Sequence, residues 1–165
     1  MTALRSLREK HDGALTDQLS VRLWLRLLSC TMVVEKRLQR RLAAQHATTL
    51  PRFDVLAALD RSGGGMMMSA LSRALLVSNG NVTALVRSLA ADGYVAIAPS
   101  PSHRRASIVT MTEAGRTHFD ALASAHHGWI EQMLAGVSRQ QRELLFDLLG
   151  ALKVSIASDR GEDER

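Results

Sequence analysis

Apolar residues recur at helical spacing over most of the chain. Between residues 17 and 46, leucines and valines return every three, four or seven residues with no proline or glycine between them, which predicts one long helix. Pro51 suits the first turn of a second helix, where its missing N–H is not needed, and Gly63-Gly64-Gly65 would end that helix.

Two further helices are expected toward the C-terminal end. Thr112 opens the first, which runs to about Ala135 and is closed by Gly136, and Ser138 caps the second. The last helix is expected to bury an apolar face made of Leu144, Leu145, Leu148, Leu149 and Leu152.

Two short helices occupy the middle of the chain. Ser69 is expected to cap the first, which runs through Leu76, and Ser78 to cap the second, which Gly93 ends. Only Val77 and Ser78 separate them, so the two helices must cross at a steep angle, as in a helix-turn-helix. The second helix has an apolar stripe of Val82, Leu85, Val86 and Leu89.

The hydrophobic pattern then changes to that of short strands. Residues 94–98 and 106–111 are rich in β-branched side chains, and the polar, proline-containing segment 99–105 separates them. The predicted fold is therefore mainly α with a small β-hairpin wing: a winged helix-turn-helix with a helical dimerisation domain. The expected divisions are a helical dimerisation region (1–50 and 112–158), a domain that contains the helix-turn-helix and the hairpin (51–111), and a disordered tail (159–165).

Composition narrows the function classes. The 165 residues are 46% hydrophobic and include one cysteine, and no run of about 20 apolar residues or secretory signal is present. A membrane span, an internal disulfide and a zinc site of several thiolates are thereby excluded, and a cytoplasmic protein is expected. The formal net charge of +5 and sequence pI of about 10.3 fit either a polyanionic partner or a solvated basic surface.

Three landmarks between Met68 and Arg116 resemble the winged helix-turn-helix core of the MarR family of bacterial transcriptional regulators. They are Val82-Thr83, Asp92-Gly93-Tyr94-Val95, and the pair Arg104-Arg105 followed by Met-Thr-Glu-Ala-Gly. The resemblance implies that the second arginine, Arg105, enters the DNA minor groove. The family's wing usually has an aspartate where this chain has His103, which puts the rigidity of the wing in doubt.

The resemblance also indicates which residues would contact DNA. The N-terminal turns of the second helix of the helix-turn-helix face the major groove, where asparagine pairs with adenine and threonine contacts base edges. The alternative is that these residues only cap the helix and that the arginines are solvated. The candidates are Ser72, Arg73, Ser78, Asn79, Gly80, Asn81, Thr83, Ala84, Arg87, Arg104 and Arg105.

Segments 21–28 and 48–54 resemble a narrower subgroup of the family. That resemblance implies regulation of aromatic-acid catabolism and a response to an aromatic acid or its CoA thioester, such as hydroxycinnamoyl-CoA. The expected effector residues on the first helix are Arg22 and Arg26 for the anion, with Trp24 and Cys30 as apolar contacts. A solvated arginine face and packing of Trp24 in a core or dimer are the alternatives.

The expected protein is a ligand-responsive, homodimeric repressor that binds an inverted repeat in double-stranded DNA. No catalytic residues, cofactor or metal site are expected, since His126 and His127 are adjacent and diverge on a helix. Two alternatives stay open: a redox sensor acting through Cys30, and a structural DNA-binding protein indifferent to sequence. A buried, inert Cys30 is favoured over a reactive one, because no positive charge is adjacent to it.

Overall fold

The computed structural model describes residues 18–100 and 106–158. The N-terminal segment, the wing tip with His103, Arg104 and Arg105, and the tail from residue 159 lie outside the described residues. In chain order the elements are α1 (Leu19–His46), α2 (Leu50–Ser62), β1 (Met66–Met67), α3 (Met68–Leu75), α4 (Asn79–Ala91), β2 (Val95–Pro99), β3 (Ser107–Met111), α5 (Glu113–Leu134) and α6 (Arg139–Ser158).

The three strands form one antiparallel sheet in the order β1-β3-β2. Val95 pairs with Met111 and Pro99 with Ser107, which makes the predicted hairpin. A short strand also forms at the methionine run, where Met66 pairs with Val109. The fold class predicted from the sequence, mainly α with a small hairpin wing, is confirmed.

A hydrophobic core forms where α2 meets the helix-turn-helix. Val55, Leu56 and Leu59 on α2 are at most 1% exposed. They are joined by fully buried side chains from five other elements, namely Leu42, Leu71, Val82, Val86, Leu89, Val109 and Leu122. Burial of this set fixes α4 with one face inward and leaves its other face to solvent.

Three of the four helix caps predicted from the sequence are present. The Ser78 hydroxyl accepts a hydrogen bond from the Asn81 N–H at 3.5 Å, and the Thr112 hydroxyl accepts one from Gly115 at 3.0 Å. Ser138 and Gln141 form the reciprocal pair of a capping box.

Ser69 is the exception, and the prediction that it caps α3 is wrong. The helix begins at Met68, the extended residue Met67 precedes it, and no side chain caps it. Because Met67 is held in β1 by its pairing with Ile108, the chain turns into helix directly at the end of the strand. Ser69 is therefore an exposed residue inside the first turn.

The chain divides into two compact units, the first ending at His127 and the second beginning at Gly128. In the second unit α6 is amphipathic, yet no side chain of its described residues is buried. The expectation that its leucines are buried is wrong for a single chain, because Leu144 is 60% and Leu148 59% exposed. In the described part of the chain, this face of α6 stays exposed.

The N-terminal half of α1 is exposed in the same way. Trp24 is 58% exposed, and Cys30 is an exposed free thiol. The prediction of a buried Cys30 is wrong for this chain, because the buried positions of α1 are Leu25, Ser29, Leu38 and Leu42, on another side of the helix. No helix in the described part of the chain is long and apolar enough to cross a membrane.

Candidate nucleic-acid interface

The exposed face of α4 carries the residues expected to read DNA. Val82, Val86 and Leu89 are fully buried, whereas Asn81, Ala84 and Arg87 are exposed. The last three are spaced by three residues and therefore share one side of the helix. Their side chains accordingly project from the domain while the buried stripe holds the helix in place.

The N-terminus of α4 is the end that presents backbone donors. Ser78 is extended and caps the helix, and Asn79 and Gly80 form its first positions. The first N–H groups of a helix have no intrahelical partner and favour anions such as phosphate. The predicted set Ser78, Asn79, Gly80 and Asn81 is thus brought together at this end.

The exposed face of α4 borders two different cavities. Thr83 and Arg87 line a cavity of about 510 Å³ together with the strand residues Met67 and Ile97. Asn81 and Ala84 line a smaller one of about 350 Å³ with Pro51, on the side of α2. Thr83 and Arg87 therefore border the edge of the exposed face next to the hairpin, and Asn81 and Ala84 border its edge next to α2.

Two residues of α3, Ser72 and Arg73, are expected to contact phosphate, and the structure places them in different surroundings. Arg73 is exposed, but the Ser72 hydroxyl donates to the Val77 carbonyl oxygen at 2.6 Å. The Val77 N–H in turn donates to the Ser72 carbonyl oxygen at 3.2 Å. Ser72 thus fixes the turn between α3 and α4, and a phosphate contact from Ser72 or Arg73 stays a prediction.

The C-terminal end of α4 is held by side-chain hydrogen bonds from Arg52 and Thr112, which we call the polar joint. The sequence analysis did not predict these bonds. Arg52 of α2 donates hydrogen bonds to Ser88 and to the Asp92 carboxylate. The Thr112 hydroxyl donates to the Gly93 carbonyl oxygen at 2.7 Å. Arg52 and Asp92 are 40 residues apart in the sequence, so no local pattern identifies the pair.

An aromatic stack lies beside this joint. The rings of Tyr94 and His118 are parallel, with centroids 4.2 Å apart. Burial lowers the pKa of His118, and the positive charges of Arg52 and His46 act in the same direction. The neutral imidazole is therefore the form that this junction favours.

The residues expected to bind an effector lie on the N-terminal half of α1. Arg22, Trp24, Arg26 and Cys30 are all exposed. A cleft of about 570 Å³ opens farther along the same helix, between α1 and the α2–α3 pair, and none of the four lines it. The helical repeat places Arg26 and Cys30 on the side of α1 away from the cleft.

Within the described residues no group of three His, Cys, Asp or Glu side chains is placed to hold a metal ion. His126 is instead stacked on Phe53, with ring centroids 4.6 Å apart. The cleft residues were not identified from the sequence. They come from three helices, and only the fold brings them together.

Comparison with known proteins defines the class of this fold. A family profile described as the MarR family matches residues 48–106. The crystal structure of a MarR family transcriptional regulator from Silicibacter pomeroyi is 34% identical, covers 84% of this chain and 96% of that chain, and has a TM-score of 0.72. The fold and the exposed recognition helix therefore define a winged helix-turn-helix transcriptional regulator, not an enzyme. The chain belongs to the MarR family.

The match to another relative spans a smaller part of that relative's length. The transcriptional activatory protein BadR of Rhodopseudomonas palustris is 38% identical over 108 residues, which is 64% of this chain and 61% of BadR. The matched part of the chain thus spans less than two thirds of that relative.

Two further solved structures hold a partner or ligand. Sco3205, a MarR family regulator from Streptomyces coelicolor crystallised with DNA, has a TM-score of 0.76 at 18% identity over 86% of this chain and 93% of its own. An organohalide-sensing regulator in its 2,4-dichlorophenol-bound form has a TM-score of 0.74 at 20% identity over 92% of this chain and 89% of its own. At these identities the likeness shows the shared fold.

Proposed function

We propose that this protein is a ligand-responsive repressor that binds an inverted-repeat operator as a homodimer and leaves it when an aromatic acid or its CoA thioester binds. The observation that carries the proposal is the placement of Asn81, Ala84 and Arg87 on the exposed side of a helix whose other side is fully buried. A polar exposed face on a firmly anchored helix is what insertion into a major groove requires.

In this proposal Asn81 reads a base and Arg87 contacts the backbone. An asparagine amide pairs bidentately with adenine, and an exposed guanidinium suits phosphate. Arg104 and Arg105 of the wing would add minor-groove contacts, as the family resemblance implies. The Streptomyces structure supports this use of the fold, because that protein was crystallised with DNA.

The homodimer is inferred from the exposed apolar face of α6. Leu144, Leu145 and Leu148 are 60%, 46% and 59% exposed, which is unfavourable for a helix left in water. A second copy is the simplest cover for a self-complementary face, and closed two-fold symmetry is the commonest arrangement. Two recognition helices would then read half-sites about 34 Å apart.

The effector proposal places an anion on Arg22 and Arg26. Cys30 lies one turn further along the same side of α1, and Trp24 would meet the ligand only where the ligand extends around the helix. These arginines are one helical turn apart and both exposed, so one carboxylate or phosphate can reach both. The 2,4-dichlorophenol complex of a structural neighbour supports an aromatic ligand. The effector would act by favouring a geometry of the two DNA-binding domains that does not fit the operator.

The DNA proposal is tested by measuring affinity for a selected operator and for random duplex. Asn81→Ala is expected to weaken operator binding by about 1–3 kcal/mol and to leave random binding nearly unchanged. Gln140→Ala, an exposed polar residue of α6, is the control and should change neither. Equal losses on both duplexes would contradict base reading and favour a structural DNA-binding protein.

The effector proposal is tested by calorimetry with an aromatic acid and its CoA thioester. Arg22→Ala or Arg26→Ala should raise the Kd by about 10- to 100-fold, whereas the control Arg37→Ala should not. Unchanged affinity in both variants would contradict the assignment. A promoter fusion then distinguishes repression from activation, the role that the name of BadR gives to that relative.

The exposed thiol favours one second candidate function, redox sensing. Cys30 is exposed in the chain, and access to solvent is one requirement for oxidation. If Cys30 is the sensor, peroxide should release wild-type protein from the operator and leave Cys30→Ser bound. Release of both proteins to the same extent would contradict this candidate.

A further inference from the structure

The cleft between α1 and the helix-turn-helix combines an apolar lining with an acidic one. Its volume of about 570 Å³ is in the range of sites for small organic ligands. Apolar side chains come from all three walls, and they are Met32, Leu50, Pro51, Leu75 and Val77.

The charged groups of the cleft are predominantly acidic. Glu35 and Asp54 line it together with one cation, Lys36. The fourth polar residue, Gln39, uses its side-chain oxygen to accept the Leu50 N–H at 2.9 Å. An anion entering the cleft would therefore meet two carboxylates and one ammonium group, whereas a cation would meet an excess of negative charge.

Asp54 is the more buried of the two carboxylates. Burial raises its pKa, Arg61 acts in the opposite direction, and the charge of Glu35 adds to the increase. Among the described residues, no hydrogen bond or ion pair is formed to the Asp54 carboxylate. A positively charged donor at this position would compensate the desolvated charge.

We propose that this cleft is a second ligand site, selective for a small protonated aromatic amine. The ring would lie against Met32, Leu75 and Val77, and the ammonium group would lie between Asp54 and Glu35. The site goes beyond the proposed function, because it lies on another side of α1 from Arg26 and takes a ligand of opposite charge.

A ligand in the cleft would also contact the start of the recognition helix. Val77 lines the cleft and directly precedes Ser78, which caps α4. Pro51 and Val77 also line the small cavity that Asn81 and Ala84 border. An occupant would thus contact both α1 and the turn that orients α4, so amine binding should change operator affinity within the usual range of about 5- to 150-fold.

The test is calorimetry of the full-length protein with three probes that share a 4-hydroxyphenyl ring. Tyramine is a cation, 4-ethylphenol is neutral and 4-hydroxyphenylacetate is an anion. Tyramine should bind most tightly, and Asp54→Asn or Glu35→Gln should weaken it about tenfold without affecting 4-ethylphenol. Asp120→Asn, an exposed carboxylate of α5, is the control and should leave all three affinities unchanged.

Other outcomes would overturn the proposal. They are the absence of tyramine binding, tighter binding of 4-ethylphenol or 4-hydroxyphenylacetate than of tyramine, or tyramine affinity that Asp54→Asn and Glu35→Gln both leave unchanged. Glu35 is exposed, so its variant is expected to fold even if Asp54→Asn does not.

The two ligand proposals can fail separately. Aromatic-acid binding that depends on Arg22 or Arg26, without tyramine binding, would overturn only the cleft site. Tyramine binding that depends on Asp54, without binding of the acid or its thioester, would support the cleft and contradict only the effector assignment.

Discussion

Leu76 shows how a single residue shapes the helix-turn-helix. It follows α3 in the left-handed conformation, with φ of 54° and ψ of 37°, and its side chain is 92% exposed. Left-handed backbone costs a non-glycine residue about 1–2 kcal/mol. Because little of the side chain is buried, packing within the chain does not offset this cost.

Leu76→Gly should therefore raise the free energy of unfolding. Relief of the left-handed strain exceeds the extra entropy of glycine in the unfolded chain, which gives a net gain of about 0.5–1 kcal/mol. Urea denaturation measures the change. Ala121→Gly, at an exposed helical position of α5, is the control and should lose about 1 kcal/mol. A destabilised Leu76→Gly protein would indicate that the leucine contacts a second copy.

Because of His126, the stability of the folded chain depends on pH. Burial lowers the pKa of His126 below its ordinary value of 6.5, and the charge of His127 adds to the effect. The unfolded chain then binds a proton more readily than the folded chain. Stability is fully present above pH 6.5 and decreases as the pH falls below that value; the lowered pKa of His118 has the same sign.

His126→Phe should reduce this loss of stability between pH 7 and pH 5. Phenylalanine retains a ring against Phe53, with which His126 is stacked, but it does not titrate. Thermal unfolding across the pH range measures the slope, and His127→Phe, which removes only the smaller effect of the neighbouring charge, should reduce the slope less. A slope in His126→Phe equal to that of wild type would show that His126 does not cause the dependence.

The start of α5 shows how closely two elements approach. Thr112 hydrogen-bonds both Gly93 and Gly115, and a Cβ atom added at Gly115 would overlap the Tyr94 carbonyl oxygen. The contact is with backbone, which cannot move aside as a flexible side chain would. Glycine at this position lets α5 pack directly against the chain that leaves α4.

Gly115→Ala should consequently destabilise the fold by about 1–3 kcal/mol, as overpacking usually does. The same helix supplies its control, because a Cβ added at Gly128 meets nothing within 4 Å. Gly128→Ala should be neutral or stabilising by up to about 1 kcal/mol. Chemical denaturation of both variants checks this, and a Gly115→Ala protein as stable as wild type would contradict the close packing.

Elements set by local signals could be predicted from the sequence, and elements set by distant contacts could not. Ser78 and Ser138 act within one helical turn, so their caps were identified correctly. The prediction that Ser69 caps α3 was wrong, because the pairing of Met67 with the distant residue Ile108 determines where α3 begins. Arg52 and Asp92 likewise meet only in the folded chain.

At the scale of the whole molecule, α6 has an apolar face that the described part of a single chain leaves exposed. The sequence showed that its leucines form a face, but a one-chain core does not bury them. Cys30 was likewise expected to be buried and is exposed in a single chain. The position of α4 could be predicted from the sequence, whereas the cleft between α1 and α2–α3 could be found only from the fold.

Leu148→Glu should dissociate the proposed dimer. A charge buried at a self-complementary interface is unfavourable, whereas the same charge on an exposed helix has little effect. Sedimentation should show twice the chain mass for wild type and for the control Gln140→Glu, and one chain mass for Leu148→Glu. A Leu148→Glu protein that remains dimeric would place the interface elsewhere.

The most direct test of the central claim is selection of binding sites from a random pool of duplex DNA. Two recognition helices related by a two-fold axis should enrich an inverted repeat with half-site centres about one helical turn, or 34 Å, apart. Asn81→Ala should lose the preference at one base pair in each half-site and keep the spacing. Enrichment of no sequence, or of an unrepeated site that Asn81→Ala binds as tightly as wild type, would contradict the account.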